Sequence, residues 1–476
     1  MTGELLLLLT VGIPLAGAFL VPLAGRAPKL RNALAFLLTA APLVLSAYQL
    51  RASLAGPSLF YAELPMGLSF GLLADPLAVY MAITASLIGL IIVGYSFGYM
   101  SHGGNQSEYY FFVVLFIGAM MGIVYSTDLI FLYVFWEIAA LCCWRLIGFF
   151  REKEYVRRAN KAFLITVFGA LLMLAGFILV YTQYGTTNLI ALKGKPLGTA
   201  AVVLILFGLL SKSATLPLHS WLADAGVAPS PVTALLHAAV LVKIGVYVFA
   251  RLFLATFTID AVWHTVVPVI AAVSSLACAG AAIAENDIKR VVAYSTVSQI
   301  GYIFLGLSVG GELAAAGGIL FILMHAISKA GLFLCAGIVE HNCHTKDMRQ
   351  LGGLCKTMPV TAVSFALCAF SVMGIPPFGG FFGKYMVING AVAAGHPWIA
   401  LAFLVGAVMT IIYLMRVFVL VFLGAPRNGN ELPREGTRGM VFSVSLLAAL
   451  SLVSGILVQV PAGFVQTIVQ QLAVTA

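Results

Sequence analysis

The sequence is poor in charge. Asp, Glu, Lys and Arg make up 9% of its 476 residues, while 62% are hydrophobic. An ordinary soluble domain carries about 25% charge, so this composition excludes one. No stretch is long and polar enough to hold a soluble domain either: the longest segments between apolar runs are about 51–76 and 341–357. There is no long linker and no low-complexity tract. The seven cysteines are scattered, mostly within apolar runs (Cys142, Cys143, Cys278, Cys335, Cys368), which excludes a disulfide framework and an iron–sulfur site. No P-loop, dinucleotide fingerprint, haem motif or quinone pattern occurs, so no cofactor site is expected in the chain. His341, Cys343 and His344 cluster, but a fourth ligand is not evident, and no metal site is assigned. No basic region precedes the first apolar run, Leu5 to Leu23 with Glu4 ahead of it; it is read as a span rather than a cleaved signal.

What is present is a succession of apolar runs of helix length, without the alternation of an outer-membrane barrel strand. Fourteen spans are expected, at roughly 4–24, 31–50, 77–100, 108–126, 128–150, 160–183, 199–221, 231–253, 262–284, 288–308, 313–340, 358–389, 396–424 and 437–459. The chain is therefore expected to be an all-α integral membrane protein. The net charge of +9 is not a nucleic-acid footprint, because of where it lies. Alternate connections hold 16 basic residues, Arg427 among them, and the others only Arg51, Lys193, Lys195 and Arg251. The positive-inside rule puts the rich set in the cytoplasm, and both termini outside, in an energy-coupling membrane such as the prokaryotic cytoplasmic membrane.

A weak repeat shows in the breaks. The seventh span has Lys212 and then Pro217; the twelfth has Pro376-Pro377, Gly379-Gly380 and Lys384. Spans four to eight and nine to thirteen make two sets of five, each with its broken, lysine-bearing member fourth. Five is odd, so the second set starts from the opposite side: an inverted repeat with broken helices near the midplane. The expected division is 1–107 (spans one to three), 108–253 and 254–424 (the two bundles), and 425–476 (span fourteen).

Five charges fall inside spans: Glu137, Lys212, Lys243, Lys329 and Lys384. One near a bilayer centre costs about 2.5–3.5 kcal/mol, so five facing lipid would cost on the order of 15 kcal/mol. A shared hydrated interior, along which titratable groups pass protons, removes that cost. Glu137 is read as a partner for a lysine, or as a hydrogen-bonded structural acid. Lys212 holds its proton less tightly when buried and more tightly beside a carboxylate; the alternative is a structural ion pair. His219, seven residues on, would share its face on an unbroken helix. Lys243 has no acid in its own span. His237 is either a supporting group or a hydrogen-bonded structural histidine. His325 and Lys329, at i and i+4, share one helix face and make a relay step. Lys384 is the counterpart of Lys212, expected to exchange its proton with one aqueous side. Lys289-Arg290 are read as membrane anchors.

The chain resembles the antiporter-like proton-pumping subunits of respiratory complex I, of energy-converting membrane hydrogenases and of multisubunit Na+/H+ (Mrp-type) antiporters. The resemblance spans about residues 70–425. It rests on Trp136-Glu137, the run from Lys212 to Ala225, Ser230 to Ala239, Asp287 to Arg290 with Ala293 to Gly301, His325 to Lys329, and Gly374 to Phe381. It implies two inverted five-helix bundles whose half-channels join through a polar central axis. It also implies Glu137 and Lys212 as a regulating ion pair, Lys243 as the central connection, and Lys329 and Lys384 as the rest of the path. The favoured expectation is a transport subunit of a redox-driven, complex I-related pump, with iron–sulfur clusters and a quinone or other redox carrier in partner membrane and peripheral subunits. The alternative is a subunit of a Mrp-type antiporter exchanging protons and Na+; a passive scaffold is the third reading. Because the chain stops at Ala476, no lateral helical arm is expected.

Overall fold

The computed structural model describes residues 3–65, 69–101, 103–425 and 433–473. Arg427 and both chain ends, with the terminus assignments that rest on them, lie outside the described residues. Helices run in the order α1 (Gly3–Gly17), α2 (Leu20–Leu23), α3 (Pro28–Ala55), α4 (Pro76–Tyr99), α5 (Gln106–Tyr125), α6 (Leu129–Ile147) and α7 (Lys153–Tyr184). Then come α8 (Thr199–Lys212), α9 (Ser220–Asp224), α10 (Ser230–Ala234), α11 (Leu241–Phe249), α12 (Trp263–Ala284), α13 (Ile288–Ser308) and α14 (Glu312–Cys343). The last five are α15 (Pro359–Met373), α16 (Gly379–Ala393), α17 (Pro397–Phe418), α18 (Arg438–Ile456) and α19 (Gln459–Ala473). Several starts are fixed locally. Asp75, Asp128 and Asp287 cap α4, α6 and α13 by accepting backbone N–H bonds from Ala78, Ile130 and Lys289 at 2.8, 2.8 and 2.9 Å, satisfying donors that a helix cannot satisfy itself.

Eleven helical segments among the described residues are long and apolar enough to cross a membrane, and Gly3–Gly17, Thr199–Lys212 and Pro359–Met373 are shorter apolar helices. Together they answer to the fourteen expected spans. The two inverted five-helix sets are present, with their broken fourth members at α8/α9 and α15/α16. Both breaks hold a cis X-Pro peptide, Leu216-Pro217 and Pro376-Pro377.

Burial sorts the helices by role. All of the most apolar stretch of Ser230–Leu254 is buried, as is 94% of that in α13 and in α14; in α3 and in Pro397–Leu423 the share is 33%. Polar side chains on the first three are thus screened from lipid by the perimeter helices, whose Leu, Val and Phe side chains face outward. That central position is where a buried charge is tolerable.

Three features depart from the expected pattern. Residues 51–76 include an antiparallel hairpin, β1 (Ser58–Glu63) with β2 (Ser69–Ala74), Ser58 opposite Ala74. A short parallel pair, β3 (Lys195–Pro196) and β4 (Phe257–Thr258), ties two loops on the same side. Beyond the fourteenth span, α19 returns along α14 and α4, burying Val465 and Ile468 and stacking Phe464 on Tyr80 at 6.1 Å between centroids. It alternates glutamines with apolar residues, so it escaped a search for continuous apolar runs.

Candidate functional site

The uninterrupted helix α14 crosses the buried middle and carries His325 and Lys329 one turn apart, 1% and 0% exposed. Lys243 on α11 reaches across to them: its Nζ lies 2.7 Å from His325 Nδ1. Lys329 donates to Ser295 Oγ at 2.5 Å and to the Val292 carbonyl at 3.3 Å, both on α13. Lys384 on α16 donates to the Val372 carbonyl at 2.7 Å and sits 4.5 Å from the centre of the Tyr302 ring. Lys212, the last residue of α8, donates to the Trp136 carbonyl at 3.3 Å with its ammonium 5.0 Å from the Trp136 ring. The four lysines named from the sequence are all buried, and each finds an acceptor.

The second break shows how the sequence makes such an acceptor. In a continuous helix the Val372 carbonyl would bond the N–H four residues on, but that residue is Pro376, which has none. Helix α15 ends instead in Gly374 at φ 84, and the freed carbonyl takes Lys384. Gly380 lets the following helix come this close, since a Cβ there would lie 1.9 Å from the Ser371 carbonyl oxygen. In the first break the Ser211 carbonyl accepts from Trp221 Nε1 at 3.0 Å.

The remaining residues are placed less tightly. Glu137 adjoins Trp136 on α6, but among the described residues it makes no ion pair with Lys212 within 4.0 Å, and its buried Oε1 has no hydrogen-bond partner. The implied regulating pair is therefore near but open. His219 heads α9 rather than continuing α8, so the seven-residue spacing from Lys212 has no helical meaning here. His237 is wholly buried in a π-helical turn, 4.4 Å from Phe333 between ring centroids, with neither ring nitrogen bonded. Orphaned buried polar atoms of this kind mark places for internal water.

Lys289 and Arg290 are not headgroup anchors. The Lys289 side chain is 1% exposed and bonds Glu340 at 3.0 Å and the Ala228 carbonyl at 2.9 Å. Arg290 pairs with Glu285 at 2.8 Å and Asp224 at 3.1 Å, and Lys161 joins Asp224 at 2.7 Å. The start of α13 is tucked against α9 and the end of α14, which turns its charges inward toward acids. On the opposite side Arg251, counted from the sequence as a loop charge, is 6% exposed and clasps Asp75 through two bonds of 2.5 and 2.8 Å. Burial works against the Asp75 charge, but Arg251 outweighs it and holds the carboxyl below its usual range. Sequence reasoning missed this pair, Lys289–Glu340, and the Lys243–His325 contact. The one available signal was the four-residue spacing of Lys243, Tyr247 and Arg251. Among the described residues no cluster of three or more His, Cys, Asp or Glu is arranged to hold a metal ion.

Comparison with known proteins agrees with this architecture. The family described as NADH:quinone oxidoreductase/Mrp antiporter, TM, matches residues 126–410, and that described as NADH-Ubiquinone oxidoreductase (complex I), chain 5 N-terminus, matches residues 63–112. Among curated relatives, the Na(+)/H(+) antiporter A1 subunit of Staphylococcus haemolyticus is 33% identical over 425 residues, covering 82% of this chain and 53% of the relative. The Na(+)/H(+) antiporter A subunit of Alkalihalophilus pseudofirmus is 35% identical over 426 residues, with the same coverages. The chain thus spans about half the length of these curated relatives. A chain in the structure of the Mrp complex from Dietzia sp. superposes with a TM-score of 0.90 at 24% identity, covering 99% of this chain and 100% of that one. One in the membrane-bound sulfane sulfur reductase, an archaeal respiratory membrane complex, gives 0.87 at 23% identity, covering 99% of each; at these identities the likeness shows the fold. The match over more than half the chain places it in a family: this multi-pass membrane protein belongs to the NADH:quinone oxidoreductase/Mrp antiporter transmembrane family.

Proposed function

We propose that the chain is the proton-conducting antiporter subunit of a multisubunit Na+/H+ (Mrp-type) complex. The observation that carries this reading is the set of four buried amines, Lys243 and Lys329 on the most enclosed helices and Lys212 and Lys384 beside the two helix breaks, with His325 bonded to Lys243. Glu137 stands beside Lys212, where a change in its distance alters how tightly that lysine holds its proton. His237, with neither ring nitrogen bonded, and His219, with Nδ1 unbonded, support the path. The names of the relatives, Na(+)/H(+) antiporter subunits, favour this reading over the redox-driven pump expected first from the sequence. Other membrane subunits are its partners and protons and Na+ its cargo. The membrane is the bacterial cytoplasmic membrane, with the basic-rich loops inside and both termini outside.

The test is flux in vesicles reconstituted with the intact complex, without any electron donor. Addition of Na+ should collapse an imposed pH gradient, and Lys212→Ala or Lys243→Ala should abolish this while the complex still assembles. No sodium-dependent proton movement in the parent complex would overturn the antiporter reading. The likeness to the archaeal respiratory complex supports the second reading. In that case flux appears only with a donor, and iron–sulfur clusters and a quinone or similar carrier reside in co-purifying subunits. A passive scaffold predicts that all four lysines tolerate Leu or Met without loss.

A further inference from the structure

A cavity of about 420 Å³ opens on the side whose loops hold few basic residues, lined among others by Leu73, Asp75, Tyr125, Thr127, Lys193 and Arg251. It has room for on the order of ten waters, and the row of amines does not touch it. Three observations join the two. The Arg251–Asp75 pair forms part of the cavity wall, with side chains 8% and 19% exposed. The Tyr247 hydroxyl accepts from Arg251 Nε at 3.1 Å and Nη2 at 2.9 Å and donates to the Val124 carbonyl. Lys243, Tyr247 and Arg251 follow at intervals of four along α11 and the π-helical turn Ala250–Leu254 that continues it, so they stand one above another. Independently, Thr127 lines this space, and its buried Oγ1 has no hydrogen-bond partner, which marks a place for internal water.

We propose that this cavity is the outer mouth of a half-channel reaching Lys243, with Arg251–Asp75 as its gate. The proposal rests on reading the buried amines as a proton path. In the closed state both Asp75 oxygens are taken, one by Arg251 alone and the other by Arg251 and the Ala78 N–H. A proton leaves the Lys243 ammonium, which becomes the neutral amine, and passes by water alongside Tyr247 to the Asp75 carboxylate. Neutral Asp75 no longer holds Arg251, the pair parts, and the proton goes on to cavity water, restoring the carboxylate.

Cysteine accessibility tests this. None of the seven native cysteines lines the cavity, so the parent protein is the control. Leu73→Cys and Thr127→Cys, in the whole complex, should react with a membrane-impermeant cationic thiosulfonate added from the basic-poor side only, and modification should block transport. Asp75→Asn/Arg251→Gln removes both charges together; it should assemble and lose the coupling of proton to cation flux, whereas a merely structural pair would leave coupling intact. Labelling that leaves transport unchanged, labelling from the basic-rich side, no labelling from either side, or normal coupling in the double variant would each overturn the gate. Lys243→Met separates the two levels. Its inactivity with a failed gate removes only this mouth; its full activity removes the proton path as well.

Discussion

Replacing Lys243 with methionine should stop transport and leave the fold as stable as before, or more so. The side chain is wholly buried, its ammonium has His325 Nδ1 as partner, and no carboxylate pairs with it within 4.0 Å among the described residues. Methionine keeps the length of the stem, so only the volume of the ammonium group is vacated. The loss is one hydrogen bond, about 0.5–1.5 kcal/mol net. His325, whose Nε2 already lacks a partner, is left with two unbonded nitrogens, a cost of about 1–3 kcal/mol. Against these stands the desolvation of a buried cation, several kcal/mol in real proteins. The terms offset, with the balance tilted toward gain. Leu241→Ala, at a wholly buried position on the same helix, supplies the contrast: an apolar truncation costing about 2–5 kcal/mol. The assays are the midpoint of thermal unfolding in detergent, followed by tryptophan fluorescence, and proton flux in vesicles. Should Lys243→Met melt as low as Leu241→Ala, or carry protons at the parent rate, the reasoning fails.

Glu340→Gln should destabilise the protein by about 3–5 kcal/mol by stranding the buried Lys289 charge, and adding Lys289→Met should recover most of that in the same thermal assay. Gly380→Ala should disrupt the second break, because its Cβ would lie 1.9 Å from the Ser371 carbonyl oxygen, whereas Gly439→Ala, with nothing within 4 Å, should leave the size-exclusion profile unchanged. Burial raises the Glu285 and Asp224 carboxyls, but hydrogen bonds from Arg290 and Lys161 outweigh it and hold both below their usual range. Their contribution to stability is therefore complete above about pH 4, near the unfolded values, and is lost as pH falls through the lower folded values. Arg290→Gln should flatten that part of a stability–pH curve, and an unchanged curve would count against the pairing.

Much of the core was legible because its residues break local rules. A lysine in an apolar run, or a proline and paired glycines inside a span, stands out from its neighbours, and all four lysines and both helix breaks lie where the sequence put them. What was not legible depends on partners far along the chain. His325 and Lys243 are 82 residues apart, and nothing local to either announces the other. Arg251 sits at the end of an apolar run and looked like a loop charge; only the position of Asp75, 176 residues away, shows that it turns inward. Lys289 was read as an anchor for the same reason, since its acid lies on another helix. The Glu137–Lys212 distance is set by how α6 and α8 pack, which no spacing within either helix encodes.

The positions of the counter-charges separate two kinds of buried cation. Near the two membrane faces, Arg251 and Lys289 are held by carboxylates. Along the row, Lys212, Lys329 and Lys384 are held by backbone carbonyls, a serine hydroxyl and aromatic faces, and Lys243 by an imidazole. A carboxylate fixes an ammonium, because removing the proton leaves a buried anion alone. A neutral acceptor lets the amine lose its proton without stranding a charge. The row is thus built for amines that change charge, and the two faces hold cations that keep it. Ser295→Asp tests this directly: it puts a carboxylate where a hydroxyl now lies 2.5 Å from Lys329. The variant should assemble, since an ion pair replaces a hydrogen bond at a site that already holds both side chains, and its proton flux should fall because the Lys329 proton is trapped. Ser295→Ala, which removes the acceptor but adds no charge, should retain more flux than Ser295→Asp. Equal flux in the parent and the aspartate variant, measured in vesicles of matched protein content, would mean that neutrality along the row has no part in conduction.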